Sequence, residues 1–132
     1  MAIQLSVAVR TLMAAALETE TGPSARMVLF TGTLGANCAA PDPSGELLRI
    51  TCPSDWATQA TGQLLLAGSW SGTASAGTAA TPVCYRIFKA DGVTCTAQGS
   101  AGIGAGDVQV NGTITSGQTV TITAYTLTMP GA

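Results

Sequence analysis

From Pro23 onward the chain is cut by glycine, proline and aspartate-glycine turns every ~8–12 residues, and the pieces between them largely alternate apolar and polar side chains. Such breaks leave no room for a helix of several turns, whereas a strand needs only about four to eight residues. The segments "ARMVLFTG" (25–32), "GELLRITC" (45–52), "QLLLAGSWSG" (63–72), "VCYRIFKADGVTCTAQGS" (83–100), "DVQVNGTI" (107–114) and "SGQTVTITAYTLTMPGA" (116–132) read as strands and hairpins. Asp91-Gly92 is predicted to form a two-residue type I′ turn, which requires positive φ at both central positions. "PSDWATQATG" (53–62) is expected to hold a helical turn begun by Ser54 or Asp55, and "TASAGTAATP" (73–82) to be a small-residue spacer.

Ahead of Pro23 the period changes. Leu5, Val9, Leu12, Ala16 and Leu17 recur at helical spacing, flanked by Ile3 and Met13, and Gly22-Pro23 ends the pattern. This predicts an amphipathic helix over 3–20 whose apolar stripe covers one face of a sheet. A signal-peptide reading of the same segment fails on the missing basic n-region and on Arg10 within the apolar part. The expected architecture is a single domain, 1–132, mainly β: a helix over 3–20, then an antiparallel β-sandwich or barrel-like body over 25–132.

Charged residues make up 9% of the chain, against about 25% in an ordinary soluble domain, and Gly, Ala, Thr and Ser fill the difference. Weak self-repulsion suits a place inside an assembly better than a free monomer. The net charge is −2, and Arg10, Arg26, Arg49, Arg86 and Lys89 are scattered, so no nucleic-acid footprint is expected. No apolar run approaches the ~20 residues of a transmembrane helix, and no membrane partner is expected.

The chain contains no histidine, which removes Ser-His-Asp and Cys-His catalytic constellations. "GSWSG" (68–72) places Trp70 where a nucleophile elbow has serine, and the glycine-rich "GIGAG" (102–106) runs into a strand without a following lysine. The carboxylate combinations Asp91 with Asp107 and Glu46 with Asp55 are not brought together by anything in the sequence. No enzyme, no metal site and no cofactor are expected. Exposed Trp56, Trp70, Tyr85 and Tyr125 would instead mark a carbohydrate-binding module.

Cys38, Cys52, Cys84 and Cys95 allow three disulfide connectivities. A regular hairpin about Asp91-Gly92 puts Phe88 opposite Cys95 and Cys84 opposite Gly99, so Cys84 and Cys95 lie ~13 Å apart and cannot bridge. Cys38–Cys95 with Cys52–Cys84 is preferred over Cys38–Cys84 with Cys52–Cys95, and four buried thiols are the alternative to both. In the closing strand, Val120 and Ile122 share one face, and the phase then slips at Ala124-Tyr125. The slip implies a bulge within one core, or a strand that changes neighbours and offers its second half to a subunit interface.

The segment order is an amphipathic helix, "FTGTLGANCAAPDPSGELL", "GTAATPVCYRIFKADGVTCTAQGSAG", "GDVQV" and "ITSGQTVTITAYTLTMP". It resembles a family of small structural proteins of tailed bacteriophages, across nearly the whole chain. That resemblance implies a non-enzymatic virion protein, assembled in the host cytoplasm as a homo-oligomer on the major capsid protein or other virion proteins. Head decoration (capsid cement) is the first reading, and a neck, collar or minor tail subunit the second. Leu5, Val9, Leu12, Tyr125, Leu127 and Met129, together with the 33–45 loop, are the candidate interface.

Overall fold

In the computed structural model, which describes residues 3–75 and 79–132, the chain forms helix α1 (Val7–Thr21) and ten short strands. These are β1 (Arg26–Phe30), β2 (Glu46–Thr51), β3 (Ala57–Ala60), β4 (Gln63–Leu66), β5 (Ser71–Thr73), β6 (Cys84–Phe88), β7 (Cys95–Ile103), β8 (Val108–Val110), β9 (Thr119–Thr121) and β10 (Ala124–Thr128). Eight of them make one curled sheet in the order β2-β1-β6-β7-β8-β10-β4-β3, and β5 and β9 make a separate ribbon. The fold is therefore mainly β with one N-terminal helix, its sheet curled into a half-barrel. Residues 76–78 of the expected spacer lie outside the described residues.

The helix starts later than 3–20. Ser6 is the N-cap, its hydroxyl accepting from Val9 N at 3.2 Å, while Leu5 N pairs with Gly131 O in an extended segment. The C-terminus falls at Gly22, whose N–H bonds Glu18 O before Pro23. The face turned inward differs in part from the one expected. Ala14 and Thr21 are buried, Met13 and Leu17 pack partly against the core, and the apolar stripe of Val9, Leu12 and Ala16 faces solvent. Close approach explains this choice. Thr11 Oγ1 accepts from Gly62 N at 2.9 Å, and a Cβ on Gly62 would meet the Arg10 side chain at 2.7 Å.

Turn chemistry departs from expectation in a complementary way. The turn with positive φ at both central residues is Thr61-Gly62, at 48° and 78°, between β3 and β4, where Ala60 pairs with Gln63. Residues 57–60, expected to be helical, are thus the first arm of a hairpin. At Asp91-Gly92 only the glycine has positive φ, and the loop is wider, closed by Lys89 N to Thr94 O and Gly92 N to Lys89 O, both 2.9 Å. The Asp91 carboxylate accepts from Thr94 N, Thr94 Oγ1 and Val93 N, which draws its pKa down to about 2. Phe88 does face Cys95, but a bulge follows, and Cys84 pairs with Ser100 rather than Gly99.

One pair of neighbours, β7 and β8, is parallel, with Ala101 opposite Val108. Parallel neighbours ordinarily need a crossover of about a dozen residues. Here residues 104–107 suffice, because Gly104 and Gly106 have φ of 65° and 89°. The chain doubles back so tightly that a Cβ on Gly106 would lie 3.1 Å from the Ala101 backbone. The glycine run 102–106 is a backbone device.

The closing segment changes neighbours, the second of the two arrangements its phase slip allowed. β9 pairs with β5, then β10 joins the large sheet between β8 and β4. Both halves line the same core, since Val120, Ile122, Tyr125 and Met129 are all buried. Within that core the rings of Trp56, Trp70, Tyr125 and Tyr85 form a chain with centroid separations of 5.9, 5.2 and 5.5 Å. Their polar ends are satisfied in place: Trp56 donates to Gly22 O, Trp70 to the Trp56 and Ala67 carbonyls, and Tyr85 OH to Tyr125 OH.

Gly106→Ala is expected to destabilise the fold by about 1–3 kcal/mol, from left-handed strain plus the close contact, as read from denaturant midpoints. The pH response of the 89–94 loop has a defined sign. The depressed Asp91 pKa contributes stability that is complete above the ordinary carboxylate range near 3.8 and is lost as pH falls through about 2. Thermal melts from pH 5 to pH 2 are expected to show a smaller decline for Asp91→Ala than for the parent chain.

Candidate interaction surface and the loop held by Arg86

The large sheet is buried on both sides at β1 and β6. Met27, Leu29, Tyr85 and Ile87 face the aromatic core, while Val28, Phe30, Cys84 and Phe88 form a second cluster against Leu34 and Cys95. That second cluster is roofed by the loop between β1 and β2, residues 31–45. Beneath the roof sits Arg86, opposite Val28 and only 1% exposed. Its guanidinium donates to Gln98 Oε1 (3.1 Å), Ala40 O (3.0 Å), Asp42 Oδ1 (2.9 Å) and Asn37 O (3.2 Å). Desolvating a guanidinium costs several kcal/mol, and this set of acceptors with one carboxylate offsets it. Gln98 Nε2 adds a bond to Gly35 O, and Gly35 lies so close to Ala40 that a Cβ there would collide with the alanine's. The loop is consequently built around one buried cation. Sequence reading counts Arg86 only among scattered charges; the available signal was its place in "CYRIF", a strand apolar on both faces.

Under the loop, Cys95 Sγ lies 2.8 Å from Cys38 Sγ, both as free thiols. The expected partner bridge, Cys52–Cys84, is excluded. Cys52 N bonds Ala25 O, whereas Cys84 pairs with Phe30, five residues further along β1 and about 16 Å away. The two thiols also belong to opposite sides of the sheet. Burial pushes Cys52 up to about 12, so it packs as a small hydrophobe. Cys84 donates to Gly32 O, and burial raises its pKa too.

The candidate interface residues separate into three groups. Val9 (44% exposed) and Leu12 (70%) stand in solvent on α1, with Ile3 and Val7 also exposed. Leu5 and Leu127 are half-buried, Leu5 lining an apolar recess with Ile3, Pro130 and Gly131. Tyr125 and Met129 are buried at 2% and 7%, so they are core residues and leave the interface set: β10 turns that face toward the aromatic chain. The 33–45 loop is largely exposed along its outer side.

All six aromatic side chains, Trp56, Trp70, Tyr85, Tyr125, Phe30 and Phe88, are at most 2% exposed. The carboxylates weighed as pairs are engaged elsewhere, Asp91 in its own turn and Glu46 with Arg49 at 3.1 Å. Among the described residues no three His, Cys, Asp or Glu side chains converge as a metal site. A shallow cleft between α1 and residues 53–56 is lined by Glu18, Thr19, Gly22, Pro23, Ser54, Asp55 and Trp56. No helix among the described residues is long and apolar enough to cross a membrane. No family model, curated protein or solved structure matches this chain.

Replacing Arg86 by Met is expected to cost about 2–4 kcal/mol, because the carbonyls of Asn37 and Ala40 lose their donor while Asp42, half-exposed, returns to water. Amide exchange in residues 35–42 should quicken more than in β1 or β6 of the same variant.

Proposed function

We propose that this chain is a non-enzymatic structural protein of a tailed-bacteriophage virion, a head-decoration subunit that binds the major capsid protein and reinforces the capsid surface. The observation that carries the reading is the orientation of α1. One apolar stripe, Val9 and Leu12 with Ala16 beside them, points away from the core, while Met13, Ala14, Leu17 and Thr21 pack inward. A solvent-facing apolar stripe on a chain with only 9% charged residues is suited to burial against a neighbour. An apolar recess is formed by Ile3 and Leu5, just before the helix, with Pro130 and Gly131.

Decoration would act by repetition. Each copy buries a modest apolar area on the capsid and against its homo-oligomeric neighbours, and symmetry multiplies the contribution. A neck, collar or minor tail position uses the same surface at lower copy number. A carbohydrate-binding module, the reading from another class, needs rings in a row on the surface, and the six rings are buried.

The test is the copy number of this chain in purified particles, by quantitative mass spectrometry against the major capsid protein. Near parity is expected; a small ring-like number moves the protein to the neck or tail, and absence from the particle overturns the reading. Leu12→Glu is expected to leave the melting temperature unchanged, since Leu12 is 70% exposed, and to lower retention on particles at least tenfold.

A further inference from the structure

Two of the four thiols are placed for chemistry with each other. The Cys38 and Cys95 sulfurs are 2.8 Å apart, against about 2.05 Å for a covalent S–S bond, so closure needs a shift of under ~1 Å. Both positions are fixed independently of the sulfurs. Arg86 holds the carbonyls of Asn37 and Ala40 on either side of Cys38, and Asp42 beyond them. Cys95 is held opposite Phe88 in the β6–β7 ladder. Both residues are partly exposed, which leaves a small reagent a route in. Cys52 and Cys84, buried and on opposite sides of the sheet, have neither a partner thiol nor such access.

We propose that Cys38 and Cys95 form an oxidation-driven clamp, in which a low-molecular-weight disulfide of the glutathione class converts the pair into one intramolecular disulfide that locks the 31–45 loop onto the β6–β7 hairpin. The exchange balances in two steps. The Cys38 thiolate attacks the small disulfide, forming a mixed disulfide and releasing one thiol. The Cys95 thiolate then attacks the Cys38 sulfur and releases the second thiol. The protein loses two hydrogens, and the small disulfide is reduced to two thiols. Cys38 goes first because the Cys95 thiol donates to it and is pushed up to about 12, chiefly by burial and then by that bond. The second step is intramolecular between sulfurs already in contact, so the mixed disulfide is short-lived.

The residues joined are 57 apart in sequence, and cross-linking so long a loop is expected to raise the melting temperature by about 10 °C. The inference does not depend on the virion reading and fails or stands separately from it. The test treats the reduced full-length chain with oxidised glutathione. Thiol titration after unfolding should fall from four to two, and peptide mapping without reductant should join the peptides holding Cys38 and Cys95. Amide exchange across residues 31–45 should slow on oxidation. Cys38→Ser should abolish both the bridge and the thermal shift, while Cys52→Ser and Cys84→Ser keep them. A glutathione adduct that persists on the parent chain, a bridge reaching Cys52 or Cys84, or a Cys38–Cys95 bridge that leaves exchange in 31–45 unchanged would each overturn the proposal.

Discussion

The burial of β6 on both faces is the constraint around which the chain is arranged. All five of its residues are buried, and they alternate between two different interiors. Tyr85 and Ile87 belong to the aromatic core, while Cys84, Arg86 and Phe88 lie under the 31–45 loop. A strand in that position must be covered twice, and the sheet supplies one cover only by curling. The other cover is a loop, which needs its backbone polar groups satisfied if it is to stay down. Arg86 performs that function, donating to two loop carbonyls and one loop carboxylate from beneath. An apolar residue at 86 would fill the space without holding the loop.

The curl itself depends on small residues at close approaches. β7 and β8 lie side by side and parallel because Gly104 and Gly106 let the chain reverse within residues 104–107. At the β4–β3 edge of the sheet, the Thr61-Gly62 turn admits α1 close enough for Thr11 to accept from Gly62 N. These contacts favour small side chains, which is one physical reason the composition is rich in Gly, Ala, Thr and Ser. Ordering such residues costs backbone entropy and offers little apolar area in return. Many of the few large side chains therefore gather in the main core, where four aromatic rings stand in sequence with their N–H and O–H groups paired.

The strand content, the single helix and a break in the closing segment were legible because they follow from period and punctuation. Val120 and Ile122 alternate as a strand must, and the slip at Ala124-Tyr125 marks where β9 ends and β10 begins. What the slip did not reveal was the direction of the second half, because a buried Tyr125 and an interfacial one obey the same alternation. The hairpin was located correctly and its turn was not. Asp91 is held by three hydrogen bonds to its own carboxylate, a local geometry that outcompetes the positive φ a type I′ turn demands. The preferred cysteine connectivity was half legible: Cys38 and Cys95 meet, whereas Cys52 and Cys84 are separated by the length of β1, a distance that only strand pairing defines.

The helix gives the most instructive departure, because periodicity found the stripe and assigned it the wrong neighbour. Val9, Leu12 and Ala16 form an apolar stripe, and a helix on a sheet is expected to bury such a face. Here α1 lies against β3, β4 and β7, with Arg10 and Thr11 meeting Gly62 at the β3–β4 turn, and that close approach fixes which side of the helix turns inward. Ala14 and Thr21 are buried on that side, Met13 and Leu17 pack partly beside them, and Thr21 bonds Leu17 O and Thr96 Oγ1 on β7. Val9 and Leu12 are then left outside for a geometric reason, independent of any partner. Holding Val9 and Leu12 in water forgoes on the order of 1–3 kcal/mol of burial at each, a loss that another surface covering the stripe would recover. The same packing that fixes the helix thus creates the face on which the proposed capsid contact rests.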